Sequence, residues 1–252
     1  MEELTKLGLN SVISIVEQQS IRNGNRQAVL YPNAEDNYQS YLSLSYCELN
    51  NVLNHLFLKL QQTIITSEDE DIVCGLLLTN PFQYLLFSYG LLKFGNVILF
   101  PMSPGNSYAA VEHLLKETKS KYVLTTNPHL TMLKQIQQTN SFEILCIDDS
   151  QFQMNQFLNQ KQIACSPSTN DKLNQSNQVN RVIVILHSSG TTSFPKPIYL
   201  TNRYFLLSYI TYLSIDQHFW STDDIVLVNH FSLSKIILCF LSLYLKISFI
   251  RI

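Results

Sequence analysis

Short, nearly unbroken apolar runs set the strongest constraint on this chain: IVCGLLL (72–78), NVILFP (96–101), KYVLTT (121–126), FEILCI (142–147) and RVIVIL (181–186). A strand that is covered above and below reads this way, because neither face can be polar. Amphipathic stretches lie between the runs. SYCELNNVLNHLFLKLQQ (45–62) puts Leu49, Val52, Leu53, Leu56 and Leu60 on one helical face, and Ser45 with Glu48 makes a capping-box pattern at its start. NPFQYLLFSYGLLKFG (80–95) reads as a helix with Pro81 in its first turn, where no backbone donor is needed. Asn106 or Ser107 can cap a further helix whose apolar face is Ala110, Val111, Leu114 and Leu115. This alternation predicts an α/β domain, a mostly parallel sheet flanked by helices and joined by right-handed crossovers.

The remaining composition narrows partners and compartment. The chain has 252 residues, 46% hydrophobic and 14% charged, enough apolar material for a core. A formal charge of -2 gives no basic field, which argues against a nucleic-acid partner. Cys47, Cys74, Cys146, Cys165 and Cys239 show no CxxC spacing, so they read as packed thiols in a reducing compartment, with no metal site. The first residues, MEELTKLGLNSVISIVEQQ, contain no long apolar run, so a secretory signal is not supported and a cytoplasmic protein is expected. Residues 148–180 are rich in Asn, Gln and Ser and read as an exposed insertion. SKIILCFLSLYLKISFIRI (234–252) is apolar, but its uninterrupted part falls short of the roughly 20 residues a bilayer requires. Lys235 and Lys246 favour a buried segment over a membrane anchor. The acids of 68–71 read as a solvated turn, Asp148 and Asp149 as caps, His113 as partly packed, and Tyr204 with Phe205 as helix-packing residues.

One stretch asks for chemistry. HSSGTTSFPKP (187–197) follows the last apolar run and surrounds Gly190 with Ser188, Ser189, Thr191, Thr192 and Ser193. A glycine-bearing turn after a strand can aim several N–H groups into one concavity, an arrangement that binds phosphate. Hydroxyls add donors, and Lys196 between two prolines adds a point charge. The spacing is not that of a Walker A loop. From the residues alone, a phosphate cradle and a polar turn between strand and helix are equally good readings.

The same stretch resembles the phosphate-loop signature of the adenylate-forming superfamily, through Ser188, Ser189, Gly190, Thr191, Thr192, Pro195 and Lys196. Its His-Ser-Ser-Gly opening and Pro-Lys-Pro-Ile ending are similar to the nonribosomal-synthetase-like carboxylate reductases. Residues 93–126, 44–56, 80–95 and 223–229 resemble further family elements in the expected order, so the likeness covers 10–229, a partial AMP-binding domain interrupted by the 148–180 insertion. The resemblance implies the N-terminal portion of the adenylate-forming large domain, with ATP and Mg2+ as cofactors and a carboxylic acid as substrate. The acid would attack the α-phosphate to give an acyl-adenylate and pyrophosphate. Ser188, Ser189, Gly190, Thr191, Thr192 and Lys196 would hold the nucleotide, and no catalytic residue is assigned.

The departures are specific. Ser193 stands where the family has glycine, and Pro197 where glycine is commoner. After DDIVLVN (223–229) the family's proline- and histidine-containing turn is not recognised, and 230–252 reads as an apolar tail outside the resemblance. The adenine, magnesium and ribose motifs and the catalytic lysine of the family are not found in these 252 residues. The expectation is therefore a fragment with an incomplete site and an uncovered apolar face that promotes self-association. A non-catalytic remnant or nucleotide-binding module is the alternative, and a membrane-anchored protein the third.

Overall fold

The computed structural model describes residues 11–32, 39–66, 70–147, 179–188, 194–215, 225–227 and 248–250. In chain order the first elements are α1 (Val12–Arg22), β1 (Gln27–Pro32), β2 (Tyr41–Ser45), α2 (Tyr46–Gln61) and β3 (Ile72–Leu77). Next come α3 (Pro81–Leu92), β4 (Val97–Pro101), α4 (Tyr108–Thr118), β5 (Tyr122–Thr126), α5 (Asn127–Gln137) and β6 (Glu143–Ile147). The last are β7 (Val182–His187), β8 (Pro197–Thr201), α6 (Asn202–Ile215), β9 (Ile225–Leu227) and β10 (Ser248–Ile250).

These elements form two compact units, with the boundary inside α2. One unit comprises Met1–Val52, Gln162–Arg181 and Thr201–Ile252. In it α1 starts with a reciprocal cap between Ser11 and Ser14 and buries Val12, Ile13, Ile15 and Val16. β1 and β2 pair antiparallel, with Val29 opposite Leu44. The Ser45–Glu48 box forms as its spacing predicts: Ser45 N–H donates to Glu48 Oε2 at 2.8 Å and Glu48 N–H to Ser45 Oγ at 3.2 Å. β9 and β10 form a parallel pair, Ile225 beside Ser248.

The second unit, Leu53–Lys161 and Val182–Leu200, carries the sheet. Its strand order is β6-β5-β3-β4-β7-β8, and the pairs β3–β4, β3–β5, β5–β6 and β4–β7 are all parallel. This is the α/β fold with a mostly parallel sheet that the apolar runs predict. From β3 the chain crosses to β4 on one side and then returns to β5 on the other. Right-handed crossovers in opposite directions place α3 and α4 on opposite faces of the sheet. Val111, Leu114 and Leu115 of α4 and Leu133 and Ile136 of α5 share one core with Leu77, Phe100, Met102, Val123 and Ile185. On α3, Gly90 permits close approach of α2, since a Cβ there would lie 2.9 Å from Leu56 Cδ2. Gly95, φ 74°, takes the left-handed turn into β4.

Several details depart from the sequence reading. Helix α5 was not foreseen: its outer face is polar and only Leu133 and Ile136 are buried. Ser107, and not Asn106, caps α4 by accepting from Ala110 N–H at 3.3 Å. The segment after the hydroxyl stretch begins with strand β8, and α6 comes only after it. Pro197 suits a strand start, and the β-favouring Ile198 and Tyr199 continue it. Cys74 is buried as expected, but Cys146 is exposed because β6 is an edge strand covered only in part. Residues 148–178 and the apolar segment 228–247 lie outside the described residues.

Candidate functional site

A parallel sheet collects the carboxyl ends of its strands on one edge, and ligands bind where adjacent crossovers diverge to opposite faces. Here that condition is met on both sides of β3, against β4 and against β5. Between β3 and β4 the place is taken by protein: Tyr84 of α3 sends its hydroxyl to Leu76 O at 3.4 Å and Met102 O at 3.3 Å. Met102 N–H also donates to Leu76 O at 2.9 Å. Burial pushes the Tyr84 phenol well above its ordinary range, so it stays protonated as a donor. Beside it Asn80 caps α3, accepting from the N–H groups of Phe82 and Gln83 at 2.9 and 3.2 Å. In β3 burial pushes the Cys74 thiol up to about 12, which removes it from any nucleophilic role near neutrality.

Next to β4 on the same edge, β7 ends in the segment that carries Ser188 and Lys196. Ser188 N–H donates to Lys196 O at 3.1 Å, and Lys196 N–H donates to Ser188 Oγ at 3.0 Å. These two bonds clasp the ends of the segment 188–196. They fix the backbone of Lys196, while its side chain is exposed and meets no carboxylate among the described residues. Ser188 Oγ accepts in this clasp and keeps its own proton to donate. An ammonium group and a hydroxyl donor at a strand end form a donor set suited to an anion. Ser189, Gly190, Thr191 and Thr192 lie outside the described residues, as does Ser193. No group of three or more His, Cys, Asp or Glu side chains is placed to hold a metal among the described residues.

The clasp has supports that the sequence reading missed. His187, the last residue of β7, donates from Nδ1 to Ser188 O at 2.9 Å. Its Nε2 accepts from Ser103 N–H at 3.4 Å and lies 3.3 Å from Asn106 Nδ2. Phe100 packs edge-on against the ring, 6.4 Å between centroids. Further along the segment, Phe194 lies over His113 of α4, 4.9 Å between ring centroids and tilted by 30°. His113 is thus packed as expected, but against the far limb of this segment. The signal for His187 was its place directly before Ser188; nothing in apolar periodicity marks Ser103 or Asn106 as its partners. Among the other candidates, Glu70 and Asp71 are exposed, Phe205 is buried while Tyr204 is largely exposed, and Asp148 and Asp149 lie outside the described residues.

Fold and strand-end geometry together define an α/β domain with a lysine- and hydroxyl-bearing segment at the carboxyl edge of its mostly parallel sheet. The AMP-binding enzyme family matches residues 16–251, and the chain belongs to that family. The match continues through 230–251, part of the segment that sequence reading set apart as a tail. An adenylate-forming reductase of Aspergillus terreus is 50% identical over 40 residues, 16% of this chain and 4% of the reductase. The adenylate-forming reductase Nps11 of Serpula lacrymans is 28% identical over 151 residues, 54% of this chain and 12% of the reductase. Among solved structures, the N-terminal domain of FACL13 from Mycobacterium tuberculosis superposes with a TM-score of 0.72 at 16% identity, over 96% of this chain and 57% of that domain. A fatty acyl CoA synthetase of the same organism gives 0.72 at 15% identity, over 97% of this chain and 45% of the other. The chain therefore spans a small part of the matching reductases and about half of the matching synthetase chains. No helix among the described residues is long and apolar enough to cross a membrane.

Proposed function

We propose that this chain binds Mg-ATP by its triphosphate at residues 188–196 and supplies the phosphate-gripping part of a carboxylate-activating, acyl-adenylate-forming site. The observation that carries the reading is the clasp between Ser188 and Lys196, which presents the Lys196 side chain at the carboxyl edge of the sheet. Ser188, Ser189, Thr191 and Thr192 would donate to the phosphates, Gly190 would allow close backbone approach, and Lys196 would neutralise charge. Bound Mg-ATP supplies an electrophilic α-phosphate and a pyrophosphate leaving group. The acid arrives already ionised, so the site has no need of a general base, and its work is positioning and charge neutralisation. Magnesium is proposed to come with the nucleotide. We place the protein in the cytoplasm, and we treat 16–251 as one partial adenylation domain interrupted by the polar stretch 148–180.

Ser193 favours a second reading. Its Cβ stands where the family has glycine, and a left-handed backbone there costs about 1 kcal/mol or more. On that reading these residues bind nucleotide without turnover. Titrations with Mg-ATP, AMP and tripolyphosphate test the first claim: tripolyphosphate should compete with ATP, and AMP should bind far more weakly. AMP binding as tight as ATP would remove the triphosphate assignment. Carboxylate-dependent exchange of pyrophosphate into ATP, tried over a panel of acids, separates the two readings: exchange establishes activation, and its absence with intact ATP binding leaves the binding module.

A further inference from the structure

We infer that His187 is a positioning residue for the phosphate-binding segment, a neutral imidazole held in one tautomer between Ser188 and the 103–106 turn. The inference rests on the proposed phosphate role of residues 188–196. The hydrogen bonds admit one assignment. Ser103 N–H can only donate, so Nε2 at 3.4 Å accepts and carries no proton. Ser188 O can only accept, so Nδ1 at 2.9 Å carries the proton. Asn106 Nδ2, 3.3 Å from Nε2, donates to the same lone pair.

The turn itself is rigid. Asn106 N–H donates to Ser103 O at 3.1 Å, Gly105 N–H donates to Ser103 Oγ at 3.3 Å, and Pro104 restricts the backbone between them. Met102, directly before it, is tied to β3 through Leu76 and Tyr84. A line of hydrogen bonds thus runs from the core of the sheet through Ser103 and His187 to Ser188 O, while Ser188 N–H and Oγ hold Lys196. The far limb is held to the same neighbourhood by Phe194 on His113. An imidazole with its proton on Nε2 would face Ser103 N–H with a second donor and lose the bond to Ser188. The tautomer is therefore part of the device, and it sets where the segment leaves the sheet.

The test combines spectroscopy with binding. Long-range 15N–1H correlation, with His187 assigned by its loss in His187→Phe, should show a protonated Nδ1 and a bare Nε2. His187→Phe should weaken Mg-ATP and tripolyphosphate binding about tenfold, the equivalent of one net hydrogen bond. His187→Gln, whose amide oxygen can accept in place of Nε2, should recover most of that loss. Asn106→Ala, a milder change on a partly exposed turn, should give a smaller loss and shift the His187 Nε2 resonance. An Nε2-protonated ring overturns the inference, and so does unaltered binding in His187→Phe alongside weakened binding in Lys196→Ala; the phosphate assignment survives both results. Absence of Mg-ATP binding by the wild-type chain overturns that assignment and the inference with it.

Discussion

Tyr84→Phe is the sharpest probe of how the edge of the sheet is closed. The phenol has a single proton, shared between Leu76 O at 3.4 Å and Met102 O at 3.3 Å, so it counts as one bond and not two. Leu76 O keeps Met102 N–H at 2.9 Å when the hydroxyl is removed. One lost net bond plus a partly unsatisfied carbonyl amounts to about 1–2 kcal/mol. The ring stays, so no cavity term is added. Urea unfolding at neutral pH should show a lower midpoint at unchanged slope. The pH dependence gives a second check. Burial raises the folded-state pKa of Tyr84 above its unfolded value, so its contribution is complete below that value and is lost as pH rises. Above about pH 10 the wild type should lose stability relative to Tyr84→Phe by about 1.4 kcal/mol per pH unit. The deficit of the variant should therefore close near pH 11, and the other tyrosines cancel in the difference. Equal midpoints at neutral pH, or a constant gap into the alkaline range, would refute the buried shared-proton arrangement.

Other expectations follow from the same packing. Asn80→Ala removes the acceptor for Phe82 and Gln83 N–H and should cost about 1 kcal/mol, measured by thermal or urea unfolding. A thiol reagent near pH 8 should modify Cys146 quickly and leave Cys74 untouched until unfolding, because Cys146 is exposed while the Cys74 thiol is buried with a pKa pushed up to about 12; mass spectrometry of the labelled peptides decides this. Edge strand β8 exposes Ile198 and Tyr199, so the chain should self-associate, and Tyr199→Lys should reduce the association seen in sedimentation. A monomer throughout a concentration series would count against that expectation.

Continuous apolar runs made β3, β4, β5 and β7 legible, because strands covered on both faces carry few polar residues; β6 has the same kind of run although it is covered only in part. The Ser45–Glu48 box was legible for a similar reason: its chemistry is local and needs only three residues of spacing. What was not legible depends on partners distant in sequence. Helix α5 buries only Leu133 and Ile136, too few to mark a face. Asn106 and Ser107 are equivalent caps on paper; in the fold Ser107 caps α4, while the Asn106 amide lies against His187, 81 residues further along. Cys146 is exposed because β6 lies at the edge of the sheet, and strand order is not written in any single strand. The switch points on either side of β3 follow from topology, but the occupation of the one against β4 by Tyr84 does not. At the site, Lys196 and Ser188 stood out in the sequence as candidate phosphate ligands, whereas their mutual clasp and its support by His187 required the fold.

The central claim, that residues 188–196 grip a triphosphate, is tested most directly by calorimetric titration of the wild type and Lys196→Ala with Mg-ATP. A charge-assisted contact of about 1.5–3 kcal/mol corresponds to a dissociation constant roughly 10- to 100-fold higher in the variant, and tripolyphosphate should show the same ratio. Equal affinities in the two proteins would contradict the claim.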